Sequence, residues 1–129
     1  ATVAGVVANV LQRVQVLTMH GAKGLDGRVV FIPGLEHGII PNHHALRSAG
    51  LYEEQRRLLY VSITRARAAC ILSLATRRSG NQAFTLGNRG TVNLPPSTFL
   101  TDMGIPPQPR TAGLTAAEVT AIMNTCANL

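Results

Sequence analysis

The chain has one lysine, Lys23, among twelve basic residues, and only six acids oppose them. Aromatics make up 4% of its 129 residues, and there are two cysteines. Each shortage excludes something. Cys70 and Cys126 lie far apart. They offer neither a disulfide framework nor zinc-ligand spacing, so a reducing, cytoplasmic setting is expected. No apolar run approaches the roughly 18 residues of a membrane span, so no membrane partner is expected. The first residues lack the basic stretch that opens a secretory signal. No Gly-x-x-x-x-Gly-Lys-Ser/Thr occurs anywhere, which rules out a self-contained P-loop nucleotide site.

What is present points to an ordinary globular unit with a polyanionic partner. At 129 residues one domain is the default, and 46% hydrophobic residues suffice for a core. With few aromatics, that core is aliphatic. The formal charge is +6 and the pI near 10.7. Such a balance suits nucleic acid first and an anionic membrane surface second, the alternative being a merely solvated basic surface. Eleven of the twelve bases are arginine, the better residue for bidentate phosphate contacts.

Along the chain, Thr2 to Leu11 is apolar and fits helix or strand equally. Arg13 to Thr18, RVQVLT, alternates and predicts a strand. Met19 to Arg28 is a glycine-punctuated loop. Val29 to Ile32, VVFI, predicts a strand covered on both faces. Leu35 to Gly50 is a loop with Pro41 and Asn42 as turn residues. Leu51 to Arg67 predicts a helix of about four turns, with Glu53 and Glu54 in its first turn and Arg65 and Arg67 near its end, as the helix dipole favours. Glu53 stands four residues before Arg57, a favourable pair on one face. Ala69 to Ala75, ACILSLA, predicts another buried strand. Strand, loop, strand, helix, strand is an α/β pattern with a parallel sheet. Beyond Arg78 the chain turns rich in Gly, Pro, Asn and Thr, a loop-rich tail lying on the domain. Thr115 to Leu129 predicts a terminal helix, with Thr115 and Glu118 as a capping box. The expected division is a lead-in over 1–12, a core over 13–78 and a loop-rich tail with terminal helix over 79–129.

Two segments carry the chemistry: TMHGAKGLDGRVVFIPGLEHGIIPN, from Thr18, and EEQRRLLYVSITRAR, from Glu53. Read together they resemble motifs V and VI of UvrD/Rep-like superfamily 1 DNA helicases. The match falls on Thr18, His20, Lys23, Gly24, Leu25, Gly34, Gly38 and Pro41. It continues through Glu53, Glu54, Arg56, Arg57, Leu58, Tyr60, Val61, Thr64, Arg65 and Ala66. PPSTFLTDMGIP, from Pro95, is similar to a segment that ends many such domains. The resemblance covers roughly residues 13 to 106.

That resemblance implies part of a RecA-like α/β domain, the second half of an ATP-dependent DNA helicase motor. The first RecA-like domain, carrying the P-loop and the acids that hold Mg²⁺, would lie elsewhere in the polypeptide or on another subunit. This chain alone would then not hydrolyse ATP. Thr18, His20 and Lys23 resemble contacts to the backbone of single-stranded DNA. Gly24 lies in the nucleotide loop, where glycine lets a phosphate approach backbone amides. Asp26 stands where the family has Glu and resembles a contact to the nucleotide sugar; Gly27 replaces the usual aromatic. Arg65 resembles the catalytic arginine that reaches the γ-phosphate and stabilises charge on the transferring phosphoryl group.

Each residue also has a plainer reading. Thr18 ends a strand, His20 packs in a loop, Asp26 makes a turn, and Arg65 answers the helix dipole. Arg56 and Arg57 read as structural and Tyr60 as a core residue with a satisfied hydroxyl. His37, His43 and His44 lack zinc spacing and read as loop histidines. The alternative function is a non-catalytic nucleic-acid-binding or interaction module that keeps the helicase-domain fold.

Overall fold

A computed structural model describes residues 14–87, 89–108, 110 and 113–129. Its centre is one strand–helix–strand unit. Strand β1, Gly27–Ile32, and strand β2, Ala66–Leu72, lie side by side in parallel, with Val30 opposite Cys70 and Ile32 opposite Leu72. Parallel neighbours need a crossover. Here it contains a 3₁₀ turn, Ala45–Arg47, and helix α1, Ala49–Ile63. The result is an α/β fold with a small parallel sheet flanked by helices, as the sequence pattern predicts.

Helix α1 begins where Ser48 can cap it: its hydroxyl accepts from the Leu51 amide at 3.5 Å. The end is tightened by local bonds. The Ser62 hydroxyl donates to the Leu58 carbonyl at 2.8 Å, and the Arg65 amide reaches back only to Ser62. Thus α1 starts two residues earlier than expected and stops four earlier. Glu53 and Glu54 fall beyond its first turn, Arg65 occupies the turn that follows, and Arg67 belongs to β2. Glu53 pairs with Arg56 at 2.8 Å, an i,i+3 bond in place of the predicted i,i+4 one. Strand β2 likewise runs three residues ahead of its predicted position at both ends, because the chain turns into the sheet at Ala66.

The core gathers Ile32, Leu35, Leu59, Phe99 and Leu100, with Val30, Ile40, Tyr52, Ile63, Cys70, Leu72 and Leu74 around them. Strand alternation explains which β1 residues reach it: Val30 and Ile32 face in, and Phe31 faces out at 65% exposed. The expected cover on both faces of VVFI is therefore not present among the described residues. Tyr60, expected in the core, is 69% exposed, because Leu59 and Ser62 occupy the inward face of α1.

Residues 14–18 form no strand, and Val14 and Val16 are almost fully exposed. An alternating pattern becomes a strand only beside a hydrogen-bonding partner, and no described strand pairs with this segment. Arg13 and the apolar stretch Thr2 to Leu11 lie outside the described residues.

The last third is more built than its composition suggests. Strands β3, Arg77–Ser79, and β4, Thr91–Asn93, pair antiparallel, with short helix α2, Asn81–Thr85, between them. Short helix α3, Thr98–Asp102, puts Phe99 and Leu100 in the core. The Ser97 amide donates to the Leu35 carbonyl at 2.9 Å and the His37 amide to the Pro95 carbonyl at 2.9 Å. The Tyr52 hydroxyl meets Thr98 Oγ1 at 2.9 Å, and the Tyr52 and Phe99 rings stand 4.9 Å apart. Helix α4, Ala116–Ala127, carries the predicted capping box at Thr115 and Glu118 and packs on β2.

Candidate functional site

The segment from Thr18 to Asp26 is wound into overlapping turns. The Ala22 amide donates to the Thr18 carbonyl at 3.0 Å, Lys23 to His20 at 3.3 Å and Leu25 to Ala22 at 3.0 Å. Thr18 closes the first turn with its side chain as well, Oγ1 accepting from the Gly21 amide at 2.9 Å. A Cβ at Gly21 would stand 3.1 Å from that oxygen, so any larger residue there would push the Thr18 hydroxyl by a few tenths of an ångström. Accepting one bond leaves the Thr18 hydroxyl its proton to donate outward. His20 and Lys23 are exposed on the same coil of chain. Gly24 adopts φ +83°, a left-handed conformation that favours glycine, with open space where a side chain would be.

This loop then meets the turn after α1. The Gly27 amide donates to the Arg65 carbonyl at 3.0 Å, and Arg65 Nη1 lies 3.3 Å from Asp26 Oδ1. The Arg65 Nε–H donates to the Val61 carbonyl at 3.3 Å. The Arg65 side chain is 30% exposed and that of Asp26 60%. So residues 39 positions apart, one from each motif, form a single edge at the amino ends of β1 and β2. The sequence placed the loop at a strand's carboxyl end, after the expected strand over 13–18. In the described residues its fixed relation is to the amino ends of the paired strands. The helix-end reading of Arg65 keeps support: the residue lies two positions past Ile63, and its Nε–H donates to the Val61 carbonyl in the last turn of α1.

Of the residues singled out in the sequence, Asp26 and Arg65 touch, and Gly24 lies two residues from that contact. Thr18, His20 and Lys23 share the preceding turns. His43 and His44 stack with ring centroids 4.0 Å apart in the 33–50 loop. Among the described residues no cluster of three His, Cys, Asp or Glu side chains could hold a metal ion, and no helix is long and apolar enough to cross a membrane.

Two residues that hold the loop after β1, at the other end of the strands from Asp26 and Arg65, escaped notice in the sequence. Glu36 is fully buried, and its Oε1 takes both Nε and Nη2 of Arg78. The pair ties the loop after β1 to strand β3. A lone acid inside the apolar run VVFIPGLEHGII was the available signal, because a buried carboxylate needs a cationic partner. Gln55 is the other: its Oε1 accepts the Asn42 amide at 3.0 Å, fastening the same loop to α1.

Fold and site together define an α/β unit in which the loop before β1 and the turn that ends the crossover helix meet at the amino ends of the two parallel strands. The chain belongs to the family described as UvrD-like helicase C-terminal domain, whose model matches residues 4–77. It is 43% identical over 104 residues to ATP-dependent DNA helicase UvrD2 of Mycobacterium tuberculosis, covering 78% of this chain and 13% of that protein. It is 40% identical over 90 residues to ATP-dependent DNA helicase PcrA of Bacillus subtilis, covering 70% of this chain and 11% of the other. DNA helicase II of Escherichia coli matches at 46% over 65 residues, covering 50% and 9%. The chain thus spans about a tenth of the length of these curated relatives.

Proposed function

We propose that this chain supplies the motif V and VI half of an ATP-dependent DNA helicase motor. Its γ-phosphate-facing arginine is Arg65, and its contacts to single-stranded DNA come from Thr18, His20 and Lys23. The observation that carries the reading is the junction of the two motifs at Asp26 and Arg65, held by the Gly27–Arg65 backbone bond. A half-exposed guanidinium at a domain edge, anchored at Nε and by its own carbonyl, can reach a phosphate held by a second domain. In ATP hydrolysis the transferring phosphoryl group gathers negative charge, and a planar guanidinium stabilises it through directed N–H donors. Gly24, with backbone open to its surroundings, offers close approach to a nucleotide. The Lys23 ammonium and the Thr18 hydroxyl are groups that grip a phosphodiester backbone without reading bases. The P-loop and Mg²⁺ ligands belong to a partner RecA-like domain outside this sequence, so the chain alone should not turn over ATP.

The test is steady-state ATPase of the complete helicase with saturating single-stranded DNA. Arg65→Ala should lower turnover by roughly a thousandfold or more, the range for arginine fingers. ATP affinity should change far less and the melting temperature little. Arg65→Lys should restore little, since an ammonium lacks the planar fork. Near-normal turnover in Arg65→Ala refutes the assignment. DNA binding without any turnover by the wild-type protein would favour a non-catalytic nucleic-acid module.

A further inference from the structure

We infer that Asp26 is a positioning residue for Arg65, acting on the nucleotide's phosphate through that guanidinium. The inference rests on the proposed function of Arg65 and concerns what holds it ready. An arginine side chain is long and loses much rotamer freedom when fixed. Arg65 is fixed at three points: its carbonyl by the Gly27 amide at 3.0 Å, its Nε by the Val61 carbonyl at 3.3 Å and its Nη1 by Asp26 at 3.3 Å. Two of those tethers come from adjacent residues of the motif V loop. Gly27 stands opposite Ala66, one irregular step before the regular register that starts at Val29 and Ala69, so its backbone bond to Arg65 joins carboxylate and guanidinium to the end of the sheet.

The charge arrangement agrees. The other ion pairs among the described residues are Glu53–Arg56, Glu36–Arg78 and Glu118–Arg110, and none of them joins the two motifs. Asp26 is the carboxylate that meets Arg65. Its side chain is the more exposed partner. The pair is therefore modest in strength and leaves the guanidinium able to pass to a phosphate, which carries more charge than one carboxylate.

The experiment is a double-mutant cycle in the complete helicase, read by single-turnover and steady-state ATP hydrolysis. Asp26→Asn keeps the shape and removes the charge. Turnover should fall roughly two- to fivefold, the range of a half-exposed ion pair, with KM for ATP unchanged. Asp26→Glu should retain more turnover than Asp26→Asn. In the Arg65→Ala background, Asp26→Asn should cause no further loss. The rate ratio between ATP and 3′-deoxy-ATP should be the same in Asp26→Asn as in wild type. A raised KM with lost sugar discrimination, or an undiminished effect of Asp26→Asn without Arg65, overturns the inference and makes Asp26 a nucleotide contact. Failure of the underlying reading looks different, because Arg65→Ala alone would then keep normal turnover.

Discussion

Replacing Arg78 by alanine should cost this fold more than any other single charge removal among its described ion pairs. Glu36 is fully buried, and both the Nε and Nη2 of Arg78 converge on its Oε1. Its other oxygen, Oε2, has no hydrogen-bond partner. Truncating Arg78 would strand a carboxylate in an apolar loop, which typically costs about 3–5 kcal/mol. The Arg78 side chain is 22% exposed, so water can enter part of the space it leaves, and the lower end, about 3 kcal/mol, is expected. For a domain of this size that is a fall in Tm of about 12 °C. The control is Arg56→Ala, whose pair with Glu53 is half exposed on both sides and is worth at most about 1 kcal/mol. Arg78→Met combined with Glu36→Gln should recover most of the loss, because the buried charge is gone while the long stem remains. Thermal and urea unfolding followed by circular dichroism read all four proteins. If Arg78→Ala melts no lower than Arg56→Ala, the stranded-charge reasoning is wrong. If the double variant melts as low as Arg78→Ala, the loss lies elsewhere than in the stranded charge.

The remaining predictions concern the start of α4 and the loop proposed to face DNA. The hydrogen bonds from Arg110, with help from the Thr115 amide and hydroxyl, pull the Glu118 carboxyl from its usual 4.5 down to about 2. A depressed carboxylate stabilises the fold above its unfolded value and loses that contribution as pH falls through its folded one. Protection of the amides at the amino end of α4, with the intrinsic pH dependence of exchange divided out, should therefore fall between about pH 4.5 and pH 2. Glu118→Gln should show no such window, and a Glu118 titration midpoint near 4.5 by NMR would contradict the geometry. In the complete helicase, Lys23→Ala should weaken single-stranded DNA binding alike for all sequences and reduce the salt slope by about 0.7, one phosphate's share. An unchanged slope would remove Lys23 from the DNA surface.

Much of this was legible in the residues, and the misreadings have physical causes. VVFI and ACIL read as strands because β-branched and apolar runs between breakers have few other uses. The capping box at Thr115 read true because both partners sit within one turn. The limits of α1 did not. Gly50 disfavours a helix, yet it and Ala49 are recruited by the Ser48 cap, while the arginines at 65 and 67 look helical but lie in the turn after α1 and in β2. Phe99 was hidden in a segment of turn residues, since its burial depends on Leu35 and Tyr52, distant in sequence. Glu36–Arg78 is likewise a long-range pair, 42 residues apart, which no local pattern specifies. The strand over 13–18 was read from alternation alone. Alternation reports which side of a strand would be apolar and says nothing about whether a neighbour is there to bond it.

The two motif segments meet through one backbone bond and one ion pair, and this bears on how a motor of this kind would transmit force. From Asp26 back to Thr18 the chain is a run of turns held by a few bonds of 2.9 to 3.3 Å, with Gly24 as its permissive joint and Met19 packed against the core. Ahead of Gly27 it is a strand registered against β2, and behind Arg65 it is a fifteen-residue helix. A rigid frame thus ends at the Asp26–Arg65 edge, and a softer coil carrying His20 and Lys23 begins there. Within the proposed helicase, drawing Arg65 toward a phosphate would leave the β1–β2 ladder in place and load the coil, because turns with single hydrogen bonds yield before a packed sheet does. The DNA-facing side chains would then move relative to the frame while the arginine stays registered to it. Gly24→Ala, strained at φ +83°, should accordingly distort the coil and disturb the coupling of hydrolysis to translocation in the complete helicase. Undiminished coupling would place the compliant element outside this loop.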